Sequence, residues 1–250
     1  MSKFMGSKTM RAVVSVGMLA VLAACGGGGS DGDGSVLVSV KGTAATGAPL
    51  PGAAIQLTCA NGTVLSGTSQ SDGSYAMGTA YIKYPCMGSA TLGAIKYRGV
   101  LLQGTVANFT PLTEILTEVI LAASVSGSAA LTLDQFVAKI RSDSTFAQSV
   151  IVNAQAYRDA VITVVQTQLK AEGLTDAQIT TTLAAIASGN VDSAAFVVGD
   201  AIDKVLDAIA GAVLDASKNV DLTTQTIAKS EGDKKPTPSS SATGGSGSGG

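Results

Sequence analysis

Between residues 35 and 107 apolar and polar positions alternate with a period of two. Ile55, Leu57 and Cys59 bracket Gln56 and Thr58, and similar short runs rich in Val, Thr, Leu and Tyr occupy 35–40, 53–59, 63–69, 74–80, 89–97 and 100–106. Such runs, punctuated by Gly, Pro, Asn and Asp, predict strands with one wet and one buried face, spaced as in a sandwich or barrel. Asn61-Gly62 and Asp72-Gly73 can take the positive backbone torsions of a tight hairpin, which gives two of the connections a mechanism.

At Asn108 the period changes to that of a helix. Thr110 as N-cap, Pro111 at the first helical position and Glu114 in the first turn make a start signal, and Ile115, Leu116, Val119 and Ile120 then share a face. Four more segments follow by the same logic. Thr132 caps a short helix to about Ile140; Ser144 leads a long one through Tyr157 and Val165 to Glu172-Gly173. Thr175, with Asp176 and Gln178, opens a third that ends at Ser188-Gly189-Asn190, and Asp192 caps a fourth whose stripe runs from Val198 through Val205, Ile209 and Val213. Amphipathic helices must bury their stripes on one another, so a small antiparallel bundle is expected over 108–219. Ala195, Gly199, Ala208, Gly211 and Ala212 are placed to let those helices approach closely. From 220 the pattern fades, and 220–250 reads as a disordered Lys-, Pro-, Ser- and Gly-rich tail.

The N-terminus carries an address. Lys3, Lys8 and Arg11 precede a short apolar run from Ala12 to Val21, the layout of an export signal over 1–24 and too short to span a bilayer. Leu22-Ala23-Ala24-Cys25 directly before four glycines resembles the lipobox of bacterial lipoproteins. That resemblance implies cleavage before Cys25, acylation of its thiol and a membrane partner reached through lipid. Gly26, where an Asp would favour inner-membrane retention, implies the outer membrane, on its periplasmic or surface face. Residues 25–34 are then a lipidated Cys and a Gly-rich tether. Asp31 and Asp33 within it lack the further acidic ligands of a calcium loop.

A second resemblance lies in the strand-rich part. Thr46-Gly47-Ala48-Pro49-Leu50-Pro51-Gly52-Ala53-Ala54-Ile55, followed by Thr68-Ser69-Gln70-Ser71-Asp72-Gly73-Ser74-Tyr75, resembles carboxypeptidase regulatory-like domains over about 35–107. It implies a prealbumin-like sandwich with a binding or spacer role and no catalytic residues. Tyr84-Pro85-Cys86-Met87-Gly88 stands where that family has a different hairpin.

Composition narrows the chemistry. The chain of 250 residues has no His and no Trp, 3 Cys and only 14% charged residues. Without imidazole there is no Ser-His-Asp or Cys-His nucleophile and no His-bound zinc or haem. A formal net charge of -2, which becomes -5 once 1–24 are removed, gives no reason to expect nucleic acid. With Cys25 assigned to lipid, Cys59 and Cys86 remain, and an oxidising compartment makes them a disulfide. The alternative, a redox or metal thiol pair, lacks CxxC spacing.

Asp200, Asp203 and Asp207 share a helical face, which a rigid helix would aim at solvent rather than converge on a metal. Glu114 and Glu118, one turn apart, are explained by the helix dipole. Charge is unevenly divided. Residues 35–109 hold Lys41, Lys83, Lys96 and Arg98 against Asp72 alone, while 110–231 hold 14 acidic and 7 basic residues. Opposite signs would dock the two parts on each other, or turn the strands toward anionic lipid or glycan.

The expectation is an α+β protein: a small N-terminal β-sandwich of prealbumin or immunoglobulin-like type, then an all-α bundle. Its expected role is non-enzymatic, that of a lipid-anchored envelope protein binding a protein or glycan, with no cofactor, metal or catalytic residue. The alternatives are a carboxylate-dependent envelope glycan hydrolase and a surface adhesin.

Overall fold

The computed structural model describes residues 34–125, 129–189, 192 and 201–241. Among the described residues, six antiparallel strands form two sheets and seven helices follow, an α+β arrangement. The first sheet pairs β1 (Val36–Thr43) with β4 (Ser74–Ile82). The second has the order β3-β2-β5-β6, from β2 (Ala54–Cys59), β3 (Val64–Thr68), β5 (Cys86–Leu92) and β6 (Ile95–Leu101). Buried Ile55, Leu57 and Cys59 alternate with exposed Ala54 and Gln56, so the period-two pattern marks the core face of β2 as expected.

After β6 the chain returns to β1 and pairs with it in parallel. Ala107 N–H donates to Lys41 O and Phe109 N–H to Thr43 O, both at 2.9 Å. Thr110 then caps α1 (Pro111–Ala123) through a reciprocal box with Thr113, so a ladder passes into a helix with no linker between them. Every residue of α1 is buried, Glu114 and Glu118 included, because β6, α4, α6 and α7 all pack on it. A helix apolar on most of its circumference belongs in such a position. The buried apolar side chains of the strands and helices accordingly form one continuous cluster across residue 108.

The other helices are α2 (Leu133–Ser142), α3 (Ser144–Val152), α4 (Ala154–Ala171), α5 (Asp176–Gly189), α6 (Ala201–Val213) and α7 (Leu222–Asp233). The caps at Thr132 and Thr175 form as expected, each with a Gln side chain reaching back.

Four expectations are corrected. The run 89–97 is not one strand: Gly93, at φ +58, turns the chain so that Leu92 pairs with Ile95, and 89–97 holds parts of two hairpin strands. The helix led by Ser144 breaks at Asn153 into α3 and α4, and the side chain that caps α3 is Asp143. The part of 220–250 expected to be disordered contains α7, one of the main partners of α1. Its buried residues are Thr224, Ala228 and Gly232, a stripe of small side chains at i, i+4, i+8 that admits close approach. A Cβ on Gly232 would stand 2.5 Å from Val119 O, whereas a Cβ on Gly211, expected at a tight contact, would meet nothing within 4 Å among the described residues. Ala195, Gly199 and the helix start after Asp192 lie outside the described residues.

Candidate functional site

Cys59 and Cys86 are register partners on β2 and β5, with Cα atoms 3.8 Å apart, and form the expected disulfide. The bond sits where two turns leave the sheet. Ala60 N–H donates to both Lys83 O and Pro85 O, at 3.0 and 3.1 Å, which ties the Ala60-Asn61-Gly62 turn to the segment before Cys86. The carbonyl of Tyr81 accepts from Asn61 Nδ2 at 3.0 Å and from Thr63 Oγ1 at 2.9 Å. Asn61 Nδ2 also lies 3.4 Å from Ser35 Oγ, where the chain enters β1.

Against this end of the sheet lies α2. It buries Phe136 and Ile140, one turn apart, and packs on β2 and β5. Between α2 and the two turns runs an open groove of about 610 Å³, lined by Ala60, Asn61, Lys83, Ala138, Arg141 and Ser142. Lys83 and Arg141 both line it, and among the described residues no carboxylate does. Neither Lys83 nor Arg141 belongs to any ion pair among the described residues. Nearby charges are occupied: Lys139 Nζ sits 4.3 Å over the Phe146 ring, and the Asp143 carboxylate accepts from Phe146 N–H and Ser241. The Phe146 hydrogen bond, followed by those from Ser241, holds Asp143 below the usual carboxylate range.

The acidic residues singled out by sequence go elsewhere. Glu114 and Glu118 do more than offset a helix dipole: both accept from the Arg98 guanidinium of β6, and Glu114 Oε2 also takes Arg98 N–H at 2.5 Å. Burial alone would lower the Arg98 pKa, but hydrogen bonds and charge from Glu114 and Glu118 more than reverse that and raise it. Thr113 Oγ1 donates to Arg98 O, and Asn219 bonds Lys96 N–H and Ala94 O. The open edge of β6 is thereby closed by helical-half side chains instead of another strand.

The solvated acidic face needs correction at Asp203, which is buried at 4% exposure because α6 turns that position inward. Asp207 is exposed and touches the Gly47 turn, and Asp200 lies outside the described residues.

A second concavity, about 80 Å³, is lined by Leu116, Arg158, Asp159, Ile162, Ile186 and Asp192 among others. Arg158 holds Asp192 with both prongs of its fork, at 2.9 and 2.6 Å, and the Asp192 hydrogen bond is the main reason the arginine pKa is raised. Pockets for drug-sized ligands run to about 300–1,000 Å³, so this cavity is too small for a sugar chain. Among the described residues no group of three or more Cys, Asp or Glu could hold a metal, and no helix is long and apolar enough to cross a membrane. Cys25 lies outside the described residues.

In the sequence Lys83 and Arg141 figure only within the charge balances of 35–109 and 110–231. Pairing Cys59 with Cys86 already implied that residues 60–62 and 83–85 meet; nothing in the sequence placed α2 over them. Comparison with protein-family models, with curated proteins and with solved structures finds no match to this chain.

Proposed function

We propose that the chain is a lipid-anchored bacterial envelope protein with a non-catalytic binding or structural role, attached to the outer membrane through Cys25. The observation that carries this reading is the run Leu22-Ala23-Ala24-Cys25 at the end of a short apolar segment and directly before a glycine tether. The Cys59–Cys86 disulfide supports it, since such bonds persist in exported proteins. A prealbumin-like sandwich followed by a helical bundle is the finer fold reading, favoured by the two-sheet arrangement and the glycine turns at 61–62 and 72–73. The non-catalytic role is preferred to a glycan hydrolase because Glu114 and Glu118 are engaged by Arg98 and Asp192 by Arg158. Mass spectrometry of the N-terminal peptide from the envelope fraction tests the anchor. An acylated Cys25 as the first residue is expected; an unmodified Cys25 or a different first residue overturns the reading.

A further inference from the structure

From the groove at the disulfide end we infer that this protein has a binding site for a phosphate group, held by Arg141 and Lys83. An arginine and a lysine that line one open groove, with no carboxylate lining it among the described residues, match a dianionic oxyanion in charge and in kind of donor. The walls are fixed before any ligand arrives. The disulfide, the paired bonds of Ala60 N–H and the bonds to Tyr81 O hold the strand side, and buried Phe136 and Ile140 hold the helix side. The Arg141 guanidinium lies over Gly62, with Nη2 3.1 Å from where a Cβ would stand, so the absent side chain leaves it room at the groove wall. Arg141 and Lys139 in the last turn of α2 also suit the helix dipole. That does not account for Lys83, which lines the same groove from the strand side.

The position of the groove says where such a phosphate would come from. Asn61 contacts Ser35, at the point where the chain from Cys25 enters the fold. Ser35 is ten residues from Cys25 in the sequence, and a chain of that length reaches at most about 36 Å, so the proposed anchor keeps this end within reach of lipid headgroups. Beside it Leu37 and Tyr81, partners in the β1–β4 ladder, are 40% and 42% exposed, and Val64 on β3 is 53% exposed. Exposed apolar and tyrosine side chains next to cations are what an interfacial surface requires. The headgroup assignment rests on the proposed anchor; the phosphate site itself does not.

The test uses the mature chain of the proposed anchor, residues 25–250, carrying Cys25→Ser, so that neither acylation nor the cationic, apolar segment 1–24 can contribute. Inorganic phosphate is titrated while the backbone amide resonances of Asn61 and Gly62, beside Arg141, are followed, and vesicles of phosphatidylcholine with and without phosphatidylglycerol are floated with the protein. A saturable shift of these amides is expected, with affinity weakened about fivefold or more by Arg141→Gln or Lys83→Gln and only partly restored by Arg141→Lys, which returns the charge without the fork. Binding to phosphatidylglycerol vesicles that free phosphate competes away assigns a lipid headgroup. Saturable phosphate binding with no vesicle preference assigns a soluble phosphate-bearing ligand and still supports the site. Absence of a saturable shift, or binding untouched by either Gln variant at unchanged melting temperature, overturns it.

Discussion

The helices meet the strands along two seams that treat charge in opposite ways. At β6, Arg98 is 17% exposed at its side chain, and Glu114 and Glu118 are at 9% and 7%; two acids close on one base while Thr113 and Asn219 take the edge backbone. At the other seam α2 buries Phe136 and Ile140 on β2 and β5 but leaves Lys83 and Arg141 facing an open groove. The difference follows from solvation. A cation enclosed by packing must be matched on the spot, because an unpaired buried charge costs several kcal/mol. One that water still reaches can stay unmatched until a ligand arrives. The first seam therefore holds the fold together, and the second holds a site.

The sharpest way to break that contrast is to remove one arginine from each seam. Arg98→Ala strands two buried carboxylates, and the expected loss is about 3–5 kcal/mol. Arg141→Ala removes an exposed side chain and is expected to stay within about 0.5 kcal/mol. Urea denaturation of the two variants measures both, and equal losses would abolish the distinction.

Reducing the disulfide probes the second seam from the strand side. Cys59 and Cys86 are 27 residues apart in sequence, and closing a loop of that length is worth about 3 to 4 kcal/mol on the chain-entropy model. The melting temperature should fall in reductant, and hydrogen exchange should quicken first at Ala60 and its neighbours while the β6 edge stays protected. Uniform loss of protection would show that the two seams do not open separately.

Glycine substitutions read packing without touching charge. A methyl at Gly232 meets Val119 O and Ala122 Cβ, at 2.5 and 2.7 Å, and overpacking of this kind costs about 1–3 kcal/mol. A methyl at Gly211 meets nothing within 4 Å among the described residues, so Gly211→Ala should stabilise by up to about 1 kcal/mol through helix propensity. Thermal melts of the two variants should move in opposite directions.

What the sequence disclosed and what it hid follow from the range of each signal. Caps at Thr110, Thr132 and Thr175 and the alternation in β2 are local, and each formed as read. The α7 helix escaped because its buried stripe, Thr224, Ala228 and Gly232, contains no large apolar side chain; closeness to α1, not hydrophobicity, makes it a core element. Asn153 and Gly93 each interrupt a pattern that continues past them, so periodicity ran through both breaks. The groove was the least legible feature. It needs α2 laid across β2 and β5, and no spacing of residues encodes that contact.

Acid offers the finest comparison of the two halves, through one Asp in each, exposed at 72 and half-buried at 143. Asp72 in the β3–β4 turn is held below its ordinary value of 3.8 by Ser74, whose Oγ and N–H both donate to it. Asp143, at the end of α2, is lowered mainly by Phe146 N–H. A carboxyl whose pKa is depressed on folding contributes stability that is complete above the unfolded value and is lost as pH falls through the folded one. Asparagine keeps an acceptor but does not titrate. The stability advantage of the wild type over Asp143→Asn should therefore be constant above about pH 5 and shrink as pH drops below the ordinary Asp value. Asp72→Asn should likewise lose a pH-dependent increment, and melting curves of each variant from pH 7 to 2 measure the two contributions one at a time. If Asp143→Asn leaves the acid slope of the wild type unchanged, its carboxylate does not titrate with folding, and the far wall of the groove is held by α2 packing alone.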